Sequence, residues 1–362
     1  MLWRRMPMSQ STQYKWLEAN TVYKCKHGSH AYGTNTEDSD LDIKGICIPP
    51  IEYFYGFKEF EQYEMKDPDL VIYSLRKFAK LAANANPNIF EILFVDESDI
   101  LYMHPIIEPL FENKGWFLSK KVKSSFFGYA KDRLKEIQRH NDWLLNPPKE
   151  PLRKDFGLTD KDNFPKGLYD SFNSQVQKFI DTFQLDLSWL DQAERLEVTS
   201  AIKSQLHKAG LNADKIFSSL SRFVESDSLT TLLKENNFRA ARNNYESYLS
   251  HLQRRNPKRL EIEKKCGYDG KDAGHLIRLL RMALEMVTGK GVIVKRPDRE
   301  DLLEIRKGLW TKERLLEETD KLIKDIEENI KTTNLPNKPE EEKIENLIID
   351  VSYNFHQKYR TK

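Results

Sequence analysis

Between two apolar runs, TVYKCKHG (21–28) and LDIKGICIPP (41–50), the chain inserts SHAYGTNTEDSD, which brings Asp40 and Asp42 one residue apart. An extended strand puts residues i and i+2 on one face. The two carboxylates are therefore expected to point the same way, with Leu41 and Ile43 buried behind them. Carboxylates that close repel each other and raise each other's pKa unless a cation sits between them. Hard oxygen ligands with room for water and phosphate suit Mg²⁺. Glu-Asp-Ser-Asp alone is ordinary solvated-turn chemistry, so its surroundings decide. Gly28 and Ser29 close the preceding strand, where backbone N–H groups and a hydroxyl can cradle phosphate oxygens. A carboxylate pair facing a phosphate cradle is what two-metal phosphoryl or nucleotidyl transfer needs.

The rest of the first third has the punctuation of strands mixed with helices. DLVIYSL (69–75) reads as a β-branched strand running into RKFAKLAANA, which has helical spacing. Asn86-Pro87 stops that helix, and NIFEILFV (88–95) follows as a strand or a buried helix, which periodicity alone does not separate. From about residue 117 the pattern becomes long and amphipathic. VKSSFFGYAKDRLKEIQRHNDWLL is broken by Pro147-Pro148, HLIRLLRMALEMV (275–287) is closed by TGKG, and KIENLIIDVSYNFHQKY follows the linker-like TTNLPNKPEEE. The fold expected is α+β. A small mixed-sheet domain, 1–116, precedes a mostly helical domain, 117–362, that closes over a cleft and carries an insertion at 160–250.

Bulk properties bound the setting. With 362 residues, two domains are the prior. Charged residues make up 31%, net charge is +2, and no apolar run is long enough to span a bilayer. Cys25, Cys47 and Cys266 read as free thiols of a reducing compartment. The expectation is a cytoplasmic protein with no membrane partner.

Gly-Ser, ten further residues and then Asp-Leu-Asp, flanked by apolar residues, resembles the signature of the DNA polymerase β-type nucleotidyltransferase superfamily. Five blocks resemble one branch of it, the predicted nucleotidyltransferases associated with RNA ligases: SHAYGTNTEDSDLDIKGI, LVIYSLRKFAKLAANANPNIFEILF, KDFGL, GYDGKDAGHLIRLLRMALEMVTGKG and VKRPDREDLLEIRKGLW. The resemblance implies that Asp40 and Asp42 bind two catalytic Mg²⁺ ions, with Mn²⁺ an alternative. It implies that Ser29, with Gly28, holds the β- and γ-phosphates of a nucleoside triphosphate, ATP or CTP. It also implies a third carboxylate that binds metal and deprotonates the attacking hydroxyl. Asp69, at the head of DLVIYSL, is the choice over a plain turn residue. Glu91 is the rival, because an acid inside NIFEILF is costly to bury alone; it could equally hold Arg76 or Lys77 in a structural ion pair.

Lys271, His275 and Arg278 fall at i, i+4 and i+7, one helical stripe. Such a stripe is most often a solvated face, but Leu276, Leu279, Leu280 and Ala283 fill the opposite side. The match to the branch's GYDxKxAxHLxRLL block assigns Lys271 and Arg278 to the triphosphate and His275 to substrate or nucleotide. Cys25-x-His27-x-x-His30 fits no standard zinc spacing and is set aside; the two histidines are expected at the cleft mouth. Basic residues gather at Lys120, Lys121 and Lys123, at Arg254, Arg255, Lys258 and Arg259, and at Lys295, Arg296 and Arg299. If they converge they could follow a nucleic-acid backbone. The expected activity is transfer of a nucleoside monophosphate from NTP to a hydroxyl, with a tRNA-like RNA 3′ end as first acceptor. Nucleotidylation of a protein or small molecule stays open, as does a non-catalytic RNA- or nucleotide-binding module.

Overall fold

A computed structural model describes residues 14–37, 39–160 and 226–359. Five strands form one mixed sheet: β1 Thr21–His27, β2 Asp42–Cys47, β3 Gln62–Lys66, β4 Asp69–Ser74 and β5 Ile100–Met103, in the order β3-β4-β2-β1-β5. Only β2 and β4 run parallel; the other neighbours are antiparallel. β3 and β5 were not foreseen. Both lie at the sheet's edges, and the exposed, polar QYEMK of β3 lacks the apolar alternation that marks a buried strand.

The chain order places two strand starts side by side. Ile43 of β2 pairs with Leu70 of β4 in parallel register, so Asp42 and Asp69, the first residues of these strands, stand level at the same end of the sheet. On the other flank of β2, Asp42 pairs with His27, the last residue of β1. Gly28 opens a five-residue helix, α1 (Gly28–Tyr32), instead of ending a strand.

Helix α2 (Leu75–Ala83) starts where Ser74 caps the backbone N–H of Lys77 at 3.2 Å. Asn86-Pro87 stops α2 and also starts the next helix, α3 (Pro87–Leu93). The Asn86 side chain accepts from the Asn88 N–H at 3.1 Å, and Pro87 fills the first turn, where no N–H is needed. NIFEILFV is thus a buried helix: Ile89, Phe90, Ile92 and Leu93 are all in the core.

Two compact units result, one made of Met1–Leu145 with Asn256–Lys362 and the other of Asn146–Arg255. In the first, α4 (Lys121–Leu145) joins the sheet's own core through Phe126, Ala130 and Ile137. The second holds α5 (Ser226–Arg254), where Arg153 pairs with Glu235 and its guanidinium lies 5.3 Å from the centre of the Phe238 ring. The first unit continues with α6 (Pro257–Cys266), α7 (Gly270–Val287), α8 (Arg299–Arg306), α9 (Lys312–Thr332) and α10 (Glu341–Tyr359). Leu276, Leu279, Leu280 and Ala283 of α7 are fully buried in the same cluster as Tyr23, Ile46 and Phe90. These units cut the chain differently from the expected 1–116 and 117–362, because the apolar faces of α4 and α7 are buried in the sheet's core. Most of the expected 160–250 insertion lies outside the described residues. No described helix is long and apolar enough to cross a membrane.

Candidate active site

One end of the sheet opens into a cavity of about 620 Å³, within the range that ligand sites occupy. Its walls include Gly28, Ser29, Asp40 and Asp42 from the N-terminal segment and Lys271, His275, Arg278 and Arg306 from the C-terminal helices. Seven of the ten residues singled out from the sequence as site candidates thus share one space, although more than 220 positions of chain separate the two groups. Asp69, Glu91 and Arg76 do not line it.

Gly28 is the tightest joint. Its φ of +63° lies in the left-handed region, where a Cβ is unfavourable. A Cβ there would also stand 2.2 Å from Oδ2 of Asp42. The carboxylate therefore rests directly on the glycine's bare face. Asp42 is half-buried, and its pKa is raised, first by that burial and then by the Asp69 carboxylate within hydrogen-bond reach. Lys44 sits 3.7 Å from Asp69 and relieves part of the repulsion. Two adjacent carboxylates, Asp42 on the cavity wall and Asp69 beside it, are hard oxygen donors only partly answered by Lys44, a set that fits Mg²⁺. Asp40 is exposed and precedes β2 instead of lying on it, so the expected strand alternation through Asp40 does not exist. Leu41, expected to be buried, is 42% exposed, whereas Ile43 is in the core at 4%. The strand forms only where Asp42 pairs with His27.

Behind the cavity wall lies a closed polar network. Glu91 is fully buried and accepts from Nη1 of Arg278 and from the hydroxyl of Tyr32, with His27 Nε2 at 3.2 Å. Burial alone would push its pKa up; the Arg278 charge and the hydrogen bonds from His27 and Tyr32 outweigh that and hold the carboxyl well below the usual range. The Arg278 guanidinium lies over the Tyr32 ring, 3.8 Å from its centre. Glu91 pairs with neither Arg76, which is exposed on α2, nor Lys77, which pairs with Glu61 at 2.6 Å.

Arg278 also fixes His275. Its Nη2 is 2.8 Å from His275 Nδ1, and since a guanidinium can only donate, Nδ1 must accept. Burial and the Arg278 charge push the His275 pKa down to about 3. The ring is therefore neutral at ordinary pH, with its proton on Nε2 as a donor of set direction. Lys271, one turn earlier, is exposed at the cavity rim.

The cysteine–histidine group disperses: Cys25 is in the core, His27 faces Glu91, and His30 Nε2 lies 3.3 Å from the Ser39 carbonyl. Among the described side chains of the basic clusters, Arg259 alone reaches the cavity, where it pairs with Asp269 at 2.7 Å. Lys121 and Lys123 pair with Glu341 and Glu327, and Arg296 is buried against Glu285 and Asp298. Arg306, which sequence reasoning passed over, lines the cavity and donates to the Thr34 carbonyl at 2.8 Å. Its signal was present but mute, because one arginine at a helix end looks like any other.

Comparison with known proteins adds an independent line. The family model described as RNA repair pathway DNA polymerase beta family matches residues 7–145. An uncharacterized 38.9 kDa protein from the nrdC-mobD intergenic region of Enterobacteria phage T4 is 33% identical over 127 residues, 31% of this chain and 37% of that protein. The uncharacterized protein YcgL of Bacillus subtilis (strain 168) is 33% identical over 86 residues, 22% of this chain and 32% of its own length. The chain thus spans about a third of the length of these curated relatives. No solved structure matches.

Proposed function

We infer, from the match of residues 7–145 to the RNA repair pathway DNA polymerase beta family, a nucleotidyltransferase that moves a nucleoside monophosphate from NTP to a hydroxyl of RNA. The observation that carries this reading is the level placement of Asp42 and Asp69 at the heads of parallel neighbouring strands, against the bare Gly28. Asp40, Asp42 and Asp69 would hold Mg²⁺, which when bound supplies the positive charge that stabilises the phosphoryl centre and the leaving pyrophosphate. The raised pKa of Asp42, from its burial first and then from Asp69, is consistent with this reading.

The chain's own groups supply the rest. Ser29 and the backbone of α1 bind the outer phosphates, and Lys271 offsets their charge across the cavity. His275 offers its Nε2–H to a nucleotide oxygen and does not change charge near neutrality. Asp69, on the exposed side of the pair, accepts the proton of the acceptor hydroxyl. That oxygen bonds to the α-phosphorus as the bond to the β-phosphate oxygen breaks, and pyrophosphate departs with its electron pair. Glu91 has no part in the proton transfer, being sealed behind Arg278.

A second reading rests on a specific observation. Most residues of the expected basic clusters that the structure describes are answered by acids, which leaves little unpaired charge along which a long polyanion would track. That favours a small or protein acceptor. Incubating each labelled NTP with total RNA, cell protein and metabolites separates the two: label retained in RNA supports the first reading, and label in protein or a metabolite replaces it.

A further inference from the structure

Of the five Lys and Arg side chains that line the cavity, three are held by carboxylates. Arg259 is answered by Asp269, Arg133 by Glu136 and Asp272, and Arg278 by Glu91. Lys271 and Arg306 have no carboxylate partner among the described residues. Lys271 is an exposed lysine, which water satisfies. Arg306 is partly buried, and that burial together with the nearby Arg259 charge lowers its pKa. A guanidinium in that position is short of an anion.

Its place is built rather than accidental. Gly270 and Gly274 stand one turn apart on α7. A Cβ at Gly270 would lie 2.4 Å from the carbonyl oxygen of Arg306, and one at Gly274 would lie 3.2 Å from its Cγ. The two glycines cut a notch into which the end of α8 seats, and the side chain reaches from it to Thr34. The Thr34 N–H in turn donates to the Ser29 carbonyl at 2.9 Å. Arg306 and Ser29 therefore flank one short loop at the carboxylate end of the cavity. One donor of the guanidinium fork holds the Thr34 carbonyl, which leaves the others for a ligand.

We propose that Arg306, with Lys271, is the phosphate-binding fork of this cavity and takes the polyphosphate end of the ligand, while Arg278 is a positioning residue that touches no phosphate. The proposal rests on the nucleotidyl-transfer reading for the identity of that ligand. It favours a polyphosphate over an RNA backbone because both cations that lack a carboxylate partner line the same cavity as Ser29 instead of forming a track.

The test is calorimetric binding of inorganic tripolyphosphate, with and without Mg²⁺, to the full chain and to Arg306→Gln, Arg306→Lys, Gly274→Ala and Arg278→Gln. Arg306→Gln should weaken binding at least about tenfold with little change in melting temperature. Arg306→Lys should recover part of the loss, since charge returns without the fork. Gly274→Ala, which keeps the arginine but crowds its Cγ, should fall between them. Arg278→Gln should instead lower the melting temperature sharply. Wild-type affinity in Arg306→Gln, or no tripolyphosphate binding by the wild type, overturns the proposal. If Arg306→Gln does not fold, equal affinity in Arg306→Lys and wild type overturns it. A loss confined to 5′-phosphorylated RNA, with tripolyphosphate unaffected, overturns it as well. Normal tripolyphosphate behaviour without nucleotide transfer to any acceptor leaves the fork standing and removes the transferase reading.

Discussion

At the scale of single residues, Gly28 and Glu91 are the most informative positions. Gly28→Ala forces a Cβ into left-handed backbone and onto the Asp42 carboxylate. The backbone cost is about 1–2 kcal/mol. Displacing Asp42 by an ångström should cost roughly 100-fold in turnover, measured as pyrophosphate release. Asp69→Asn should abolish transfer with little change in melting, whereas Glu91→Gln, which strands the Arg278 charge in the core, should cost about 3–5 kcal/mol of stability. A folded, inactive Glu91→Gln beside a fully active Asp69→Asn reverses those roles. The two acids also differ in sign with pH. Glu91 is depressed, so its contribution is present above the ordinary glutamate range and lost as pH falls through its folded value. Asp42 is raised, so its contribution is present at low pH and lost as pH rises through its folded value. Asp42→Asn should therefore flatten the metal-free melting profile on the side where stability declines with rising pH, and Mg²⁺ should stabilise wild type but not this variant.

Among the elements, the parts legible from sequence were those whose burial is two-sided or strongly periodic. β1, β2 and β4, the long α4 and α7 and the closing α10 all announce themselves in this way. β3 sits at one edge with the half-exposed, polar QYEMK, and β5 at the other with only four residues, ILYM, too short to show a period. The Asp-Leu-Asp alternation misled for a related reason. Pairing, not composition, decides where a strand begins, and β2 begins only at the residue opposite His27. The stripe on α7 was visible as a stripe, but not its division of labour: Lys271 reaches the rim while Arg278 turns inward to a carboxylate 187 positions away. The Gly270–Gly274 notch was equally silent, since a glycine's use shows only when a neighbour arrives. Gly270→Ala should push α8 off α7 by its backbone, costing about 1–3 kcal/mol, read as a lower denaturation midpoint at unchanged slope.

For the molecule as a whole, the arrangement of charge sets an expectation about RNA. Contacts to a phosphate backbone are sequence-independent and weaken linearly in log–log terms with salt. Reversing Arg254, Arg255 and Lys258 together should weaken RNA binding and flatten its salt dependence, while tripolyphosphate affinity changes much less; salt-insensitive RNA binding by wild type moves the acceptor to protein or a small molecule. The discontinuity of the larger unit has a consequence for how the chain comes off the ribosome. Glu91 is made early, but its guanidinium partner is made 187 residues later. At about 5–20 residues per second, the nascent N-terminal sheet waits on the order of 10–40 seconds with an acid in its centre and no cation to receive it. Over that interval the half-made protein lacks the Arg278 partner that its buried Glu91 has in the finished core, and its active site is complete only when α7 arrives.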